Sequence, residues 1–207
     1  MSITSFSELK TAVGDWMARS DLTSNIPDFI TLFESEANRR LRVRQMMVTN
    51  VTTPSSGQFS LPTDYLQWVR VTYIGSSDKR NLEYVHPSYL QSQYPDTPSD
   101  VPSVFTVEGS TDATAVVKIM GPDANEIDFV YYQKLTALST SNTSNWLLAA
   151  HPDLYLAGSL VEANVFVKDY DTAAVWKGRR DTLFEDVTKL DQKTRAPSFI
   201  RVPGRTP

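Results

Sequence analysis

The side chains that most often do chemistry in proteins are sparse in this chain and lie in structural contexts. The two histidines, His86 and His151, each directly precede a proline. This context is typical of the residue just before a helix, where an imidazole can satisfy a backbone group. Glu34 and Glu36 in "ESEANRR" stand at i and i+2, so they point to different faces of a helix. The chain has no cysteine, and neither a phosphate-binding glycine loop nor a nucleophile elbow appears. The sequence therefore predicts no catalytic centre, metal site or cofactor, and indicates a protein that is not an enzyme.

A cluster of arginines ends the second predicted helix. Its members are Arg39, Arg40, Arg42 and Arg44. Cations in the last turn of a helix interact favourably with its dipole, by about 0.3–1 kcal/mol each when exposed. A charged interface between subunits is the alternative interpretation, and the sequence leaves both open.

The last stretch, "RAPSFIRVPGRTP", is rich in proline and arginine and has no acidic residue. From residue 189 onward there are five basic residues and one acid, Asp191, so this end of the chain carries a net charge of +4. Because the whole chain carries −4, residues 1–188 carry −8. The basic residues are Lys189, Lys193, Arg195, Arg201 and Arg205. An acidic body with a basic arm indicates either a solvated tail or an arm that binds an acidic groove or a phosphate backbone.

The periodicity of apolar residues predicts helices at both ends of the chain and strands between them. Helices are predicted over residues 5–20, 27–45, 152–168 and 171–190, with Ser5 and Glu8 at capping-box spacing in the first. Short β-branched and aromatic runs separated by turn formers predict a β insertion over 46–135, and an extended C-terminal arm follows over 191–207. We expect an α+β fold in one domain, 1–190: an antiparallel helical bundle formed by both chain ends, with an inserted antiparallel β-meander.

The composition narrows the class of protein further. The start "MSITSFSELK" lacks the basic and apolar pattern of a signal peptide, and no run reaches the roughly 18 apolar residues of a membrane span. The absence of cysteine favours a reducing compartment. A sequence pI near 5.2 argues against a nucleic-acid reader, since phosphate-driven binding needs a basic face.

Three stretches resemble the head-to-tail adaptor, or connector, proteins in the neck of tailed bacteriophages. They are "FITLFESEANRRLRVRQM" (Phe29–Met46), "LPTDYLQWVRVTYIG" (Leu61–Gly75) and "FVYYQKLTALSTSNTSNWLLAAHPDLYLAGSLVEA" (Phe129–Ala163). The resemblance extends to the order of helices, β insertion and helices, and so covers most of the chain. It is a likeness of pattern, because adaptors carry no active site.

The resemblance implies a virion protein that forms a ring, usually of twelve copies, between the portal and the tail tube or nozzle. Such a ring holds packaged double-stranded DNA and lets it pass at ejection, without sequence-specific binding. The C-terminal segment would grip the portal. From its chemistry, we expect Phe199, Ile200 and Val202 to be the apolar anchors, with Arg195, Arg201 and Arg205 as charged partners.

Two other functions fit parts of the sequence. One is another neck or tail-completion protein of the virion, bound lower on the tail. The other is a small DNA-binding module that uses the basic arm.

Overall fold

The computed structural model describes residues 3–76, 78–93, 101–109, 115–119 and 125–195. Within these ranges the helices are α1 (Phe6–Met17), α2 (Ile26–Arg40), α3 (Pro87–Gln93), α4 (Trp146–Ala150), α5 (Pro152–Phe166) and α6 (Tyr170–Arg195). The strands are β1 (Met47–Thr52), β2 (Gln58–Ser60), β3 (Tyr65–Ile74), β4 (Lys79–Asn81), β5 (Glu83–Tyr84), β6 (Val104–Glu108), β7 (Val116–Ile119) and β8 (Glu126–Gln133). The fold class is α+β, as predicted.

The chain divides into two compact units. Met1–Arg44 and Leu135–Pro207 form the helical unit, and Gln45–Lys134 forms the β unit. The predicted insertion, 46–135, is offset from the β unit by a single position at each end. No helix in the described ranges is both long and apolar enough to cross a bilayer.

The first helix begins where its capping box predicts. The backbone N–H of Glu8 donates to the Ser5 hydroxyl at 3.3 Å, and the Glu8 carboxylate accepts from the backbone N–H of Ser5 at 3.1 Å. The helix buries Leu9, Ala12 and Val13. The capping box therefore satisfies donors that the first turn of α1 would otherwise leave unpaired.

α5 lies at the centre of the helical unit. Almost every residue from Leu154 to Asn164 is buried, and α5 packs against α1, α2, α4 and α6. A helix that is apolar on most sides must be covered on most sides, so the all-round hydrophobicity of this stretch is explained. Gly158 permits the closest approach, because a β-carbon there would overlap the ring of Phe33 on α2.

The ends of two helices differ from the prediction. α2 stops at Arg40, well before residue 45, because Leu41 is extended, with φ −89° and ψ 135°. Arg42 and Arg44 therefore lie beyond α2 and not in its last turns. α6 continues past residue 190 to Arg195, so the first positions of the predicted arm are helical. The buried Asp191 holds this end in place, because its carboxylate accepts from the backbone N–H of Arg44 at 2.9 Å.

The β unit contains two four-stranded sheets, ordered β1–β8–β3–β4 and β2–β7–β6–β5. The predicted meander is wrong, because it would pair consecutive strands, whereas β8 pairs with both β1 and β3. One pair, β5 with β6, is parallel. Alternation of apolar and polar residues indicates which face of a strand is buried, and it carries no information about the partner strand.

The core of the β unit takes side chains from both sheets. Phe59 and Phe105 come from one sheet, and Val71, Ile127 and Phe129 come from the other. The rings of Phe59 and Phe129 meet edge to face, with centroids 5.5 Å apart. Each sheet therefore has one face covered by the other.

Candidate functional site

The arginine cluster at the end of α2 is the first candidate site, and Arg40 in it is bound within its own chain. Its guanidinium contacts Glu36 at 3.1 Å and Asp181 of α6 at 2.6 Å. It also lies over the ring of Phe184, 4.1 Å from the centroid, where a cation is attracted by the π face. Arg40 therefore joins α2 to α6, and it is a poor candidate for a contact between subunits.

Arg180 completes the same cluster from α6. Its side chain is 7% exposed and contacts Glu36 at 2.8 Å and Asp181 at 3.2 Å. Two arginines and two carboxylates thus balance each other between the helices. Arg180 and its acidic partners were not among the candidate residues predicted from the sequence. The signal was present, since a charge at a buried helical position requires a partner of opposite charge.

The other three arginines of the α2 cluster, Arg39, Arg42 and Arg44, differ in the exposure and hydrogen bonding of their side chains. Arg42 is partly buried and donates to the backbone carbonyls of Asn38 and Leu41, which caps the end of α2. The side chains of Arg39 and Arg44 are exposed. Of the predicted inter-subunit residues, Arg39, Arg40 and Arg44 are thus exposed, and Arg40 is already paired with Glu36 and Asp181.

A buried carboxylate lies deeper in the helical unit. Glu34 is 4% exposed, and one of its oxygens accepts from the backbone N–H of Leu138 and from the hydroxyl of Tyr155, both at 2.9 Å. Asn145 donates in turn to the Tyr155 hydroxyl at 2.7 Å. Burial raises the pKa of Glu34, against the effect of these hydrogen bonds. Burial, together with the charge of Glu34, also raises the pKa of Tyr155.

This buried network attaches the segment that returns from the β unit to the helices. Besides the bond from Leu138 to Glu34, the backbone N–H of Leu135 donates to the Asn38 side chain at 2.7 Å. Asn145 also accepts from the backbone N–H of Leu148 and so caps α4. Since Glu34 and Tyr155 are buried, their hydrogen bonds stabilise the fold by holding this segment against α2 and α5.

The two histidines have different surroundings. His86 accepts at Nδ1 from the backbone N–H of Ser88 at 3.3 Å, which confirms its predicted role at a helix start. His151 is the N-cap residue of α5, which confirms its predicted position before a helix, but its side chain makes no capping hydrogen bond there. It lines a hollow of about 80 Å³ between α5 and α6. In the part of the chain that the structure describes, no three His, Asp or Glu side chains are placed to hold a metal ion.

The predicted portal-binding arm lies almost entirely outside the described residues. Phe199, Ile200, Arg201, Val202 and Arg205 are beyond them, and Arg195 is described as the last backbone position of α6. Their assignment stays a prediction.

The comparison with protein families finds a match over nearly the whole chain. The family model of the SU10 adaptor protein matches residues 4–205, which includes the helical unit, the β unit and most of the C-terminal segment. No curated protein matches the chain significantly. The adaptor resemblance is confirmed at the level of the family. The chain therefore belongs to the SU10 adaptor protein family, a family of structural phage proteins.

Proposed function

We propose that the protein is the head-to-tail adaptor of a tailed phage, a virion component that forms a ring between the portal and the tail. The observation that carries this proposal is the family match over residues 4–205. Because the match includes the helical unit and the inserted β unit, nearly the whole chain is devoted to the adaptor function. Such a ring is held between the portal and the tail by contacts between proteins and needs no catalytic site.

Lateral contacts in such a ring are heterologous, so one face of each subunit meets a different face of its neighbour. The exposed side chains of Arg39 and Arg44 are suited to one of these faces. Their complement would be acidic, and the net charge of −8 on residues 1–188 supplies carboxylates for it. Mixed polar faces of this kind keep a free subunit soluble before assembly.

The C-terminal arm is the proposed contact with the portal. The segment after Arg195 carries Phe199, Ile200 and Val202 beside Arg201 and Arg205. Apolar side chains can fill pockets on the portal, while the arginines pair with carboxylates around them. The proline and glycine residues between them favour an extended segment over a helix.

The acidic body suits a conduit for DNA. A ring built from subunits of negative charge does not neutralise phosphates, so the duplex gains little from contact with its wall. DNA can then slide through without being held. This favours the adaptor over a DNA-binding module. In such a module, the attraction of the basic arm for DNA would have to exceed the repulsion between DNA and the acidic body.

The test is to mix the purified protein with portal rings and to count bound copies by cryo-electron microscopy. We expect a closed ring on the portal, and a chain truncated after Arg195 should stay folded and fail to bind. Wild-type protein that does not bind the portal would rule out the adaptor position. Density lower on the tail in completed particles would then identify a tail-completion protein, and salt-sensitive binding to duplex DNA would identify a DNA-binding module.

A further inference from the structure

A small apolar hollow between α5 and α6 is left uncovered by the described residues. Leu154, Leu183 and Val187 line it, and Leu190 stands at its edge with 63% of its surface exposed. An exposed leucine beside buried Leu154 and Val187 extends the apolar core to the surface at one place. A further apolar side chain laid there would cover it.

Two carboxylates line this hollow, and one of them, Asp186, also interacts with the nearby Lys189. Asp153 and Asp186 line it together with His151, and the described lining residues include neither lysine nor arginine. The hollow thus combines apolar walls with two carboxylates. A segment that presents apolar side chains beside arginines is its natural ligand.

The geometry points to the C-terminal segment of the same chain, residues 196–207, as that ligand. We propose that in the isolated protein this segment turns back after α6 and places Phe199 or Ile200 in the hollow, with Arg201 beside Asp186. The segment has two arginines and no acid, so its charge is complementary to the two carboxylates.

The lengths agree with this placement. A helix rises about 1.5 Å per residue, so Leu190 lies roughly 7 Å and Leu183 roughly 18 Å back along α6 from Arg195. A fully extended chain advances about 3.3 Å per residue, so Phe199 and Ile200 reach at most roughly 13–17 Å back from Arg195, and the residues used in the turn shorten this reach toward the level of Leu190. Pro197 disfavours helix at Ala196, so the chain is free to turn immediately after α6.

Docking of this kind covers the apolar anchors of the arm in the free subunit. A portal that takes the arm must then displace it from the hollow. Docking itself requires no portal, so its test is separate from the test of the adaptor function.

The experiment compares methyl NMR spectra of the full chain and of a chain truncated after Arg195, both labelled at leucine and valine methyls. Truncation should shift the methyl resonances of Leu183, Val187 and Leu190. The methyls of Leu9, which is buried in α1, and of Leu32, which is exposed on α2, should stay in place. Unchanged resonances around the hollow would overturn the proposal.

Dilution distinguishes the chain's own segment from that of a second copy. For docking within one chain, the resonances of the full-length protein should not depend on protein concentration. If the hollow methyls move toward the truncated spectrum on dilution, the occupant is another copy and the proposal is wrong.

Paired variants test the choice of ligand. Phe199→Ser with Ile200→Ser should reproduce the truncated spectrum. Asp153→Asn with Asp186→Asn should move the hollow methyls part of the way and make them less sensitive to salt. The matched control, Asp171→Asn with Glu185→Gln, removes two exposed carboxylates of α6 outside the hollow and should leave the spectrum unchanged. Full-chain resonances in the Asp153/Asp186 variant would contradict the charge pairing.

Discussion

Arg180 of α6 contacts Glu36 of α2 at 2.8 Å, with 7% and 16% of their side chains exposed. This pair joins a helix from the beginning of the chain to one from its end. With Arg40 and Asp181 it forms a balanced group of four charges between the two helices. Burial of charge is costly, and such a pair stabilises the fold only while all its partners remain.

Removal of Arg180 should therefore destabilise the helical unit strongly. Arg180→Ala leaves Glu36 with less compensating charge in a poorly solvated position, and we expect a loss of about 3 kcal/mol in the free energy of unfolding. Urea denaturation followed by far-ultraviolet circular dichroism measures it. The control is Lys189→Ala, which breaks the exposed pair with Glu185 and should not change stability measurably. Equal stabilities of the two variants would contradict the role given to Arg180.

The buried Glu34 should make stability depend on pH. Its pKa is raised above the ordinary value of 4.5 by burial, so the folded chain holds this proton more tightly than the unfolded chain does. The contribution of Glu34 is thus present below pH 4.5 and falls as pH rises through the raised pKa. Glu34→Gln keeps an acceptor oxygen and cannot ionise.

The melting temperature of Glu34→Gln relative to wild type should therefore rise across this pH window and level off above it. Glu185→Gln, which removes an exposed carboxylate, is the control and should follow wild type. A constant difference between Glu34→Gln and wild type at every pH would show that Glu34 is ionised in the folded chain as readily as in the unfolded one.

Two glycines in helices should respond in opposite ways to the same substitution. Gly158→Ala forces a methyl into the ring of Phe33, and overpacking of this kind costs about 1–3 kcal/mol. Gly178→Ala adds a methyl where no atom lies within 4 Å, and it should stabilise α6 by about 0.5–1 kcal/mol. Thermal melting of both variants measures the difference. A stabilised Gly158→Ala would show that α2 can move away from α5 at little cost.

The exposed arginines should matter for assembly and not for folding. Arg39→Glu with Arg44→Glu should leave the melting temperature nearly unchanged and lower the number of copies bound per portal. Lys79→Glu with Lys177→Glu changes the net charge equally at other exposed positions and should assemble normally. Full occupancy by the arginine variant would remove this surface from the proposed lateral contact.

Arg40→Glu is a different case, although it belongs to the same cluster. It places a third carboxylate beside Glu36 and Asp181, so we expect it to lower the melting temperature. A loss of assembly in that variant would therefore report on folding as well as on contact between subunits.

Local patterns in the sequence predicted what depends on neighbours along the chain. The capping box at Ser5 and Glu8 follows from spacing over a few residues. Strand partners did not follow, because β8 pairs with strands far away in sequence on both of its sides. α4 was missed as a separate helix, since its cap, Asn145, lies in a run of turn-forming residues.

The charged residues show the same limit. The arginine cluster was identified as a group, yet its division into inward and outward members depends on Asp181, which lies far away along the chain. Arg180 was not identified because its partner, Glu36, is on another helix. The end of α6 likewise depends on a hydrogen bond between Asp191 and the backbone of Arg44.

The antiparallel pairing of β1 with β8 sets Met47 opposite Tyr132, which brings the two ends of the inserted unit together. The helical unit needs helices from both sides of this insertion, so it must close a long loop during folding. For an unstructured loop of about 90 residues the entropy term is roughly 4 kcal/mol. Once β1 and β8 have paired, folding of the insertion has already closed most of this loop, so little of the loop-closure entropy remains to be lost when the helices pack. Pairing of β1 with β8 thus lowers the entropic cost of bringing α1 and α2 to α5.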